Sequence, residues 1–200
     1  MKNFILSAAL VSTALADPQQ PEFYLREEIP TPEGEVLELG GIAIMPGKKI
    51  AVSSRRGDVW ICEGAYEKDL SKVKWTLFAR GLHEPHGMIY KNGSLYVTRR
   101  PEITMLTDSD GDGRADEYLT HAKGWGVTGN YHEYAYGPAV DKAGNLWVAL
   151  NCSIGKGPNP NNRWRGWSLR VKPDGSWSPM SGGFRSPSGI GANLAGDMFA

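Results

Sequence analysis

An all-β fold of repeated four-stranded units is what this 200-residue sequence predicts, and three observations carry the prediction. The first is composition: 25 Gly and 13 Pro break the apolar residues into short runs, as many brief strands and turns require. The second is a repeat, since Gly41, Gly87, Gly137 and Gly189 each open an apolar, alternating segment and stand 46, 50 and 52 residues apart. The third is internal order. A turn glycine and a second strand follow each opening glycine after six or seven residues, and a further strand pair precedes the next unit. Four antiparallel strands at a fixed period define the blade of a β-propeller, in which each sheet buries its faces against its neighbours. A β-sandwich with coincidental glycines would repeat the turn residue, but not the strand order and the linker as well.

The first unit reads GIAIMPGKKIAVSS from Gly41, then DVWICEG and KWTLFARGL. The second is GMIYKNGSLYVTRR from Gly87, then EITML and EYLTHAKGW; the third is GPAVDKAGNLWVALN from Gly137, then WSLRVKPDGSW and a strand ending in GGF. GIGANLAGDMFA from Gly189 begins a fourth. Residues 35–200 therefore make about three and a half blades. Propellers close with about four to eight, so the sequence is expected to be the N-terminal piece of a longer protein. An open arc would leave an apolar blade face and unpaired strand edges bare.

Ahead of the blades, residues 1–16 have the marks of a signal peptide: Lys2, an apolar run from Phe4 to Val11, and Ala14-Leu15-Ala16 as a small-residue cleavage site. Asp17 stands where a lipoprotein would need Cys. A secreted or periplasmic protein follows, with 17–34 as an N-terminal segment. That compartment permits a Cys62–Cys152 disulfide, although two separate buried thiols suit the spacing as well. With 22 Lys+Arg against 22 Asp+Glu the chain lacks the positive charge of a nucleic-acid binder.

Meander topology sorts the loops onto two ends. The turns between strands one and two, and three and four, fall at one end; the two–three turns and the blade-to-blade links fall at the other. The second end receives Arg55, Arg56, Arg99, Arg100 and the 151–165 loop, and from the links His83, His86, the Asn130-Tyr131-His132-Glu133 segment and Arg185. Reactive side chains thus gather at one end of a rigid scaffold, a usual functional arrangement. His132 stands out because its link is about seven residues longer than its counterparts, and long loops in compact repeats tend to be functional. Histidine also suits general-base work near neutral pH.

The sharpest motif is TDSDGDGRADEYL, with Asp108, Asp110, Asp112 and Asp116 at positions 1, 3, 5 and 9 of a calcium-loop pattern and Gly113 at its sharp turn. The carbonyl of Arg114 is the expected position-7 ligand. Leu119 replaces the usual Glu at position 12, and Glu117 is the available substitute. The loop joins strands three and four, so it lies at the end opposite the His/Arg loops and is assigned a structural role.

The run YHEYAYGPAVDKAGNLWVALN, RGWSLRVKPDG and GGFRSPSGIG resembles the soluble glucose/sorbosone dehydrogenases, six-bladed propellers that use pyrroloquinoline quinone. RRPEITMLTDSDGDGRADE is similar to the Arg-Pro-Glu strand and DGDG loop of their large secreted branch, often called membrane-bound dehydrogenase-like. The resemblance implies His132 as the catalytic base and Arg185 as the cation beside the quinone. Arg100, His86 and Asn151 complete the cofactor-binding set on the same end. It departs at Phe184 and Ser186, where that family has His and Asn. The function implied is oxidation of a sugar or related alcohol, with a cytochrome c-type domain as a candidate electron acceptor. The alternatives are a calcium-stabilised, non-catalytic propeller that binds carbohydrate through Trp125, Trp164 and Trp167 or binds a protein partner, and a propeller hydrolase or lyase.

Overall fold

The computed structural model describes residues 26–155, 157 and 160–200; the signal segment expected at 1–16 lies outside them. Three four-stranded antiparallel sheets follow one another, each with its strands in chain order, and a two-stranded hairpin comes after them. The first blade is β1 (Leu39–Met45), β2 (Lys49–Ser54), β3 (Val59–Glu63) and β4 (Lys74–Ala79). The second is β5 (Met88–Lys91), β6 (Ser94–Arg99), β7 (Glu102–Thr107) and β8 (Glu117–Lys123). The third is β9 (Ala135–Val140), β10 (Leu146–Leu150), β11 (Trp167–Val171) and β12 (Trp177–Gly182). β13 (Gly191–Ala192) and β14 (Met198–Phe199) open the fourth. The chain is an arc of a β-propeller, as its repeat predicts. No helix among the described residues is long and apolar enough to cross a membrane.

Local chemistry explains the units. Lys91 pairs with Ser94 across Asn92-Gly93, which adopt φ of 51° and 88°, the left-handed pair that a two-residue hairpin needs. A register shift recurs between the third and fourth strands of each blade, at Val59/Trp60, Ile103/Thr104 and Ser168/Leu169. Bulges of this kind add twist to the outer strand. The core lies in the seams between blades. Ala43, Ile61 and Phe78 of blade one meet Met88, Leu95 and Val97 of blade two. Ile103 and Ala122 of blade two meet Leu146, Val148 and Leu169 of blade three.

The repeat glycines set how closely the innermost strands approach. A Cβ on Gly41 would stand 2.4 Å from Gly87 Cα and one on Gly87 2.0 Å from Gly137 O, while one on Gly137 would meet Trp147 O at 2.6 Å within its own blade. Successive blades therefore touch backbone to backbone near the axis. Gly189, the fourth in the series, has open space around it, so this contact runs through the first three units only.

Gly87→Ala forces a Cβ into a neighbouring peptide and is expected to lower stability by at least about 3 kcal/mol. Gly93→Ala, at a turn with nothing within 4 Å, is expected to cost only the left-handed penalty of about 1–2 kcal/mol. Urea unfolding of the two variants checks this; equal losses would refute the contact as the cause.

Candidate functional site

Two buried arginines build the loop end where the sequence places the reactive residues. Arg165, 7% exposed, reaches back from the long blade-three loop into the link between β8 and β9. Its Nε and Nη2 donate to Gly126 O, its Nη1 to Glu133 O and Tyr134 O, and its Nη2 also to Arg100 O. Burial lowers this guanidinium to about 10, with Glu133 opposing the shift and Arg100 adding to it. Arg100, equally buried, donates from Nη1 to Asn130 O at 2.9 Å and from Nη2 to Tyr131 O at 2.6 Å. Its Nε faces the Glu84 carboxylate as an ion pair rather than an aligned hydrogen bond. A link without regular structure thus has its carbonyls satisfied by side chains, as burial demands.

Glu133 is fully buried in the same link and accepts from Thr128 N, Thr128 Oγ1 and Ser153 Oγ. Burial pushes its carboxyl up, but the Ser153 and Thr128 hydrogen bonds and the Arg165 charge outweigh that and hold it below the ordinary value. Trp125 Nε1 donates to Arg100 O, and Asn130 Nδ2 to Ile154 O.

Tyr134 is the hub around which the sequence-predicted residues are arranged. Its ring lies 4.8 Å from the His86 ring and 4.6 Å from the Arg100 guanidinium carbon. Its carbonyl accepts from Asn151 N, its own N donates to His132 O, and Cys152 N next to Asn151 donates to Arg185 O. His86 packs on Tyr136 as well, and its Nε2 is buried without a partner. Asn151 is 6% exposed with Oδ1 likewise unpaired. His132 stacks on Tyr131 at 3.8 Å and is half-buried. Arg185 is exposed, with Nη1 donating to Ser186 Oγ at 3.3 Å.

The remaining basic residues are tied up by carboxylates. Arg55 and Arg56 both donate to Glu38, Arg55 also reaches Glu84 at 3.5 Å, and Arg99 donates to Glu102. Arg100 was expected to bind cofactor, yet its guanidinium is engaged with two carbonyls and a carboxylate. The tryptophans expected as sugar platforms are not open surfaces. Trp125 is 1% exposed, and Trp164, edge-on to both Trp167 and Trp177, packs with them, partly buried, against the core of blades two and three. Cys62 and Cys152 are both free thiols, in the first and third blades.

At the opposite end, Asp108, Asp110 and Asp112 each present a carboxylate oxygen, all within 4.8 Å of one another. Asp108 accepts from Gly111 N and Gly113 N, Asp110 from Asp112 N, and Asp112 from Arg114 N. This oxygen-only donor set fits a hard cation. Asp116 and Glu117 are not gathered with them: Asp116 accepts from Ser109 N and Oγ, and Glu117 begins β8 paired with Thr107. The loop leans on blade one, with Ala115 N donating to Phe78 O at 2.8 Å and Arg80 N to Tyr118 Oη at 3.3 Å.

Known structures with this architecture are propellers. A glucose dehydrogenase crystal structure superposes with a TM-score of 0.64 at 15% identity, covering 81% of this chain and 56% of that one. The pyrroloquinoline quinone-bound aldose sugar dehydrogenase of Streptomyces coelicolor gives 0.61 at 17% identity, covering 82% and 56%. A putative oxidoreductase (glucose dehydrogenase) of Thermus thermophilus gives 0.59 at 15%, covering 81% and 56%. The chain thus spans little more than half the length of these neighbours, and at such identity the likeness is one of fold. No curated protein matches the chain. The family described as a domain of unknown function, DUF7133, matches residues 43–200, and the chain belongs to that family.

Replacing Arg165 strands several buried carbonyls at once, so Arg165→Met is expected to cost at least about 3 kcal/mol. Arg165→Lys should not restore it, because an ammonium cannot reproduce the fork; full rescue by Lys in urea unfolding would sink this account. A second expectation concerns pH. Burial first, then Arg55 and Arg100, hold His86 below the ordinary histidine value against the pull of Glu84. Burial and Lys91 do the same to His121, against Asp174 and a Lys172 backbone hydrogen bond. The unfolded chain then binds more protons just below about pH 6.5, so stability should fall as pH drops through that window. Urea midpoints between about pH 7.5 and 5 should flatten in a His86→Gln/His121→Gln variant. An unchanged slope would exclude both rings.

Proposed function

We propose that the chain is the N-terminal part of a secreted, six-bladed dehydrogenase that oxidises sugars or related alcohols with pyrroloquinoline quinone. The observation that carries the reading is the loop end around Tyr134, where His86 Nε2 and Asn151 Oδ1 are buried without partners and the backbone of the exposed Arg185 accepts from Cys152 N, next to Asn151. Buried polar atoms are normally satisfied, so two unsatisfied ones at one hub are apt positions for a polar ligand. The fold of the quinone-bound neighbour supports the same class of ligand.

These residues fit one side of such a cofactor. Arg185 offers a cation to its carboxylates or carbonyl oxygens, and Asn151 and His86 offer hydrogen bonds. When bound, the quinone supplies a two-electron acceptor for the hydride of the alcohol carbon. His132 accepts the hydroxyl proton as that hydride leaves, which a rigid link favours by keeping the imidazole in place. Arg185 stabilises negative charge as it develops. Arg55, Arg56 and Arg100 are neutralised in part by Glu38 and Glu84, three cations against two carboxylates, and leave the end mildly positive for an anionic cofactor. Later blades would add the remaining ligands and cover the bare face of blade one, where Ile42 and Ile44 are 58% and 60% exposed. A cytochrome c-type partner or domain would take up the electrons.

Calcium is assigned to Asp108, Asp110, Asp112 and the Arg114 carbonyl, with Asp116 acting through a bound water. Since the loop leans on Phe78 and Arg80 of blade one, the ion would staple the outer edges of blades one and two. In the full-length protein, saturable quinone binding with dye reduction on sugars or polyols is expected, and His132→Ala should abolish the reduction while retaining binding. A protein that binds no quinone would refute the dehydrogenase reading. Separately, saturating calcium at about 100 times Kd should stabilise the fold by about 2.7 kcal/mol over chelator-treated protein. Asp110→Asn should erase that increment; a chelator-insensitive melting curve would remove calcium from the loop.

A further inference from the structure

Arg100 meets both links that carry the histidines, and Glu84 holds it there. Glu84 lies in the link between β4 and β5 with φ of +47°. For a non-glycine residue that conformation is costly and persists only where surroundings over-determine it. Its carboxylate collects Arg55 Nη1 at 3.5 Å, His83 Nε2 at 3.9 Å and the Arg100 Nε ion pair. From the other side, Arg100 binds the carbonyls of Asn130 and Tyr131, the two residues that lead into His132. Its backbone N donates to His83 O, and its carbonyl accepts from Trp125 Nε1 and Arg165 Nη2. The guanidinium also covers Tyr134, whose ring touches His86.

We propose that Glu84 and Arg100 are a positioning pair that fixes the His86 link and the His132 link as one frame, setting how the two imidazoles face the same ligand. The pair acts through the links and not by touching cofactor, which replaces the expected role of Arg100 as a ligand. A bare point charge would not serve, because two guanidinium nitrogens are committed to carbonyls in fixed directions while the third faces the carboxylate. The idea rests on the reading of His86 and His132 as site residues, but its first test does not depend on it.

Amide hydrogen exchange on the full-length, cofactor-free protein provides that test. Glu84→Gln keeps the side-chain shape and removes the charge. It is expected to quicken exchange at Tyr131, His132, Glu133 and Tyr134 at least tenfold, in a link where the substitution itself does not lie, with amides of β5, β6 and β9 unchanged. Arg100→Lys should do the same, and the double variant should add little to either single one. Exchange that rises only in residues 81–87, or evenly across the strands, overturns the proposal. If Glu84→Gln does not fold, Arg100→Lys decides by the same measurement. In the quinone-loaded enzyme Glu84→Gln is expected to lower kcat at least tenfold with KM for the alcohol within twofold. An unchanged kcat also overturns it. If wild-type protein binds no quinone, the dehydrogenase reading falls and the exchange result still stands.

Discussion

The contact on which the rest of this molecule depends is the near-touching of peptide backbones along the propeller axis. Gly41 stands against Gly87 and Gly87 against Gly137, so the innermost strands of the three blades lie so close that no side chain fits between them at these points. That approach fixes blade spacing, and blade spacing fixes everything outward of it. The seams fill with Leu, Val and Ile at a width the inner strands have already set. The hydrophobic term stabilises the arc, since each fully buried aliphatic side chain contributes roughly 1.5–3 kcal/mol. The glycines contribute no such burial of their own. They determine geometry.

A rigid axis permits irregular loops at its ends, but irregular backbone still needs hydrogen-bond partners. At the His/Arg end the partners are Arg100 and Arg165. Between them they take up the carbonyls of Gly126, Asn130, Tyr131, Glu133 and Tyr134. Both carry charge into a buried setting, and each has a carboxylate nearby to offset it, Glu84 for Arg100 and Glu133 for Arg165. Arginine suits this role better than lysine because one planar group reaches carbonyls in several directions at once. The same guanidiniums are thereby engaged within the fold, whereas Arg185 is exposed.

The blades were legible in the sequence because a propeller writes its period into turn glycines and apolar alternation, both local signals. The hairpin at Asn92-Gly93 and the outer strands ending near Ala79 and Lys123 follow from the same pattern. The acidic loop was legible for a similar reason, its Asp residues lying within one short segment, although the turning of Asp116 toward Ser109 was not. The supporting shell of the loop end could not be read this way. Arg165 meets Gly126 across 39 residues and Arg100 across 65, and no local pattern distinguishes it from a solvated loop charge. Tyr134 and Glu133 were visible only as neighbours of His132. The tryptophans misled because aromatic residues in a long loop suit either a platform or a seam, and burial alone separates the two. Thr128 and Ser153, whose hydroxyls both bond Glu133, are ordinary loop residues in the sequence, and only the fold brings them to that acid.

Order along the axis also explains why the two polar ends differ in kind. The turns between strands three and four are tied to a single blade, so a charged loop there can reach only the edge of its neighbour, as the acidic loop reaches Phe78 and Arg80. Links between blades have a different reach. Each link leaves an outer strand and returns to the axis, passing over the seam and over the two–three loops on its way. Residues from three blades can therefore meet there: Arg55 of blade one on Glu84 of the next link, Arg100 of blade two on the same Glu84, and Asn151 and Arg165 of blade three on the link that carries Glu133 and Tyr134. Convergence of distant residues is a property of that end of the meander before any residue is chosen. The long link between β8 and β9 exploits it, since guanidiniums from blades two and three take up the carbonyls that its irregular backbone leaves free.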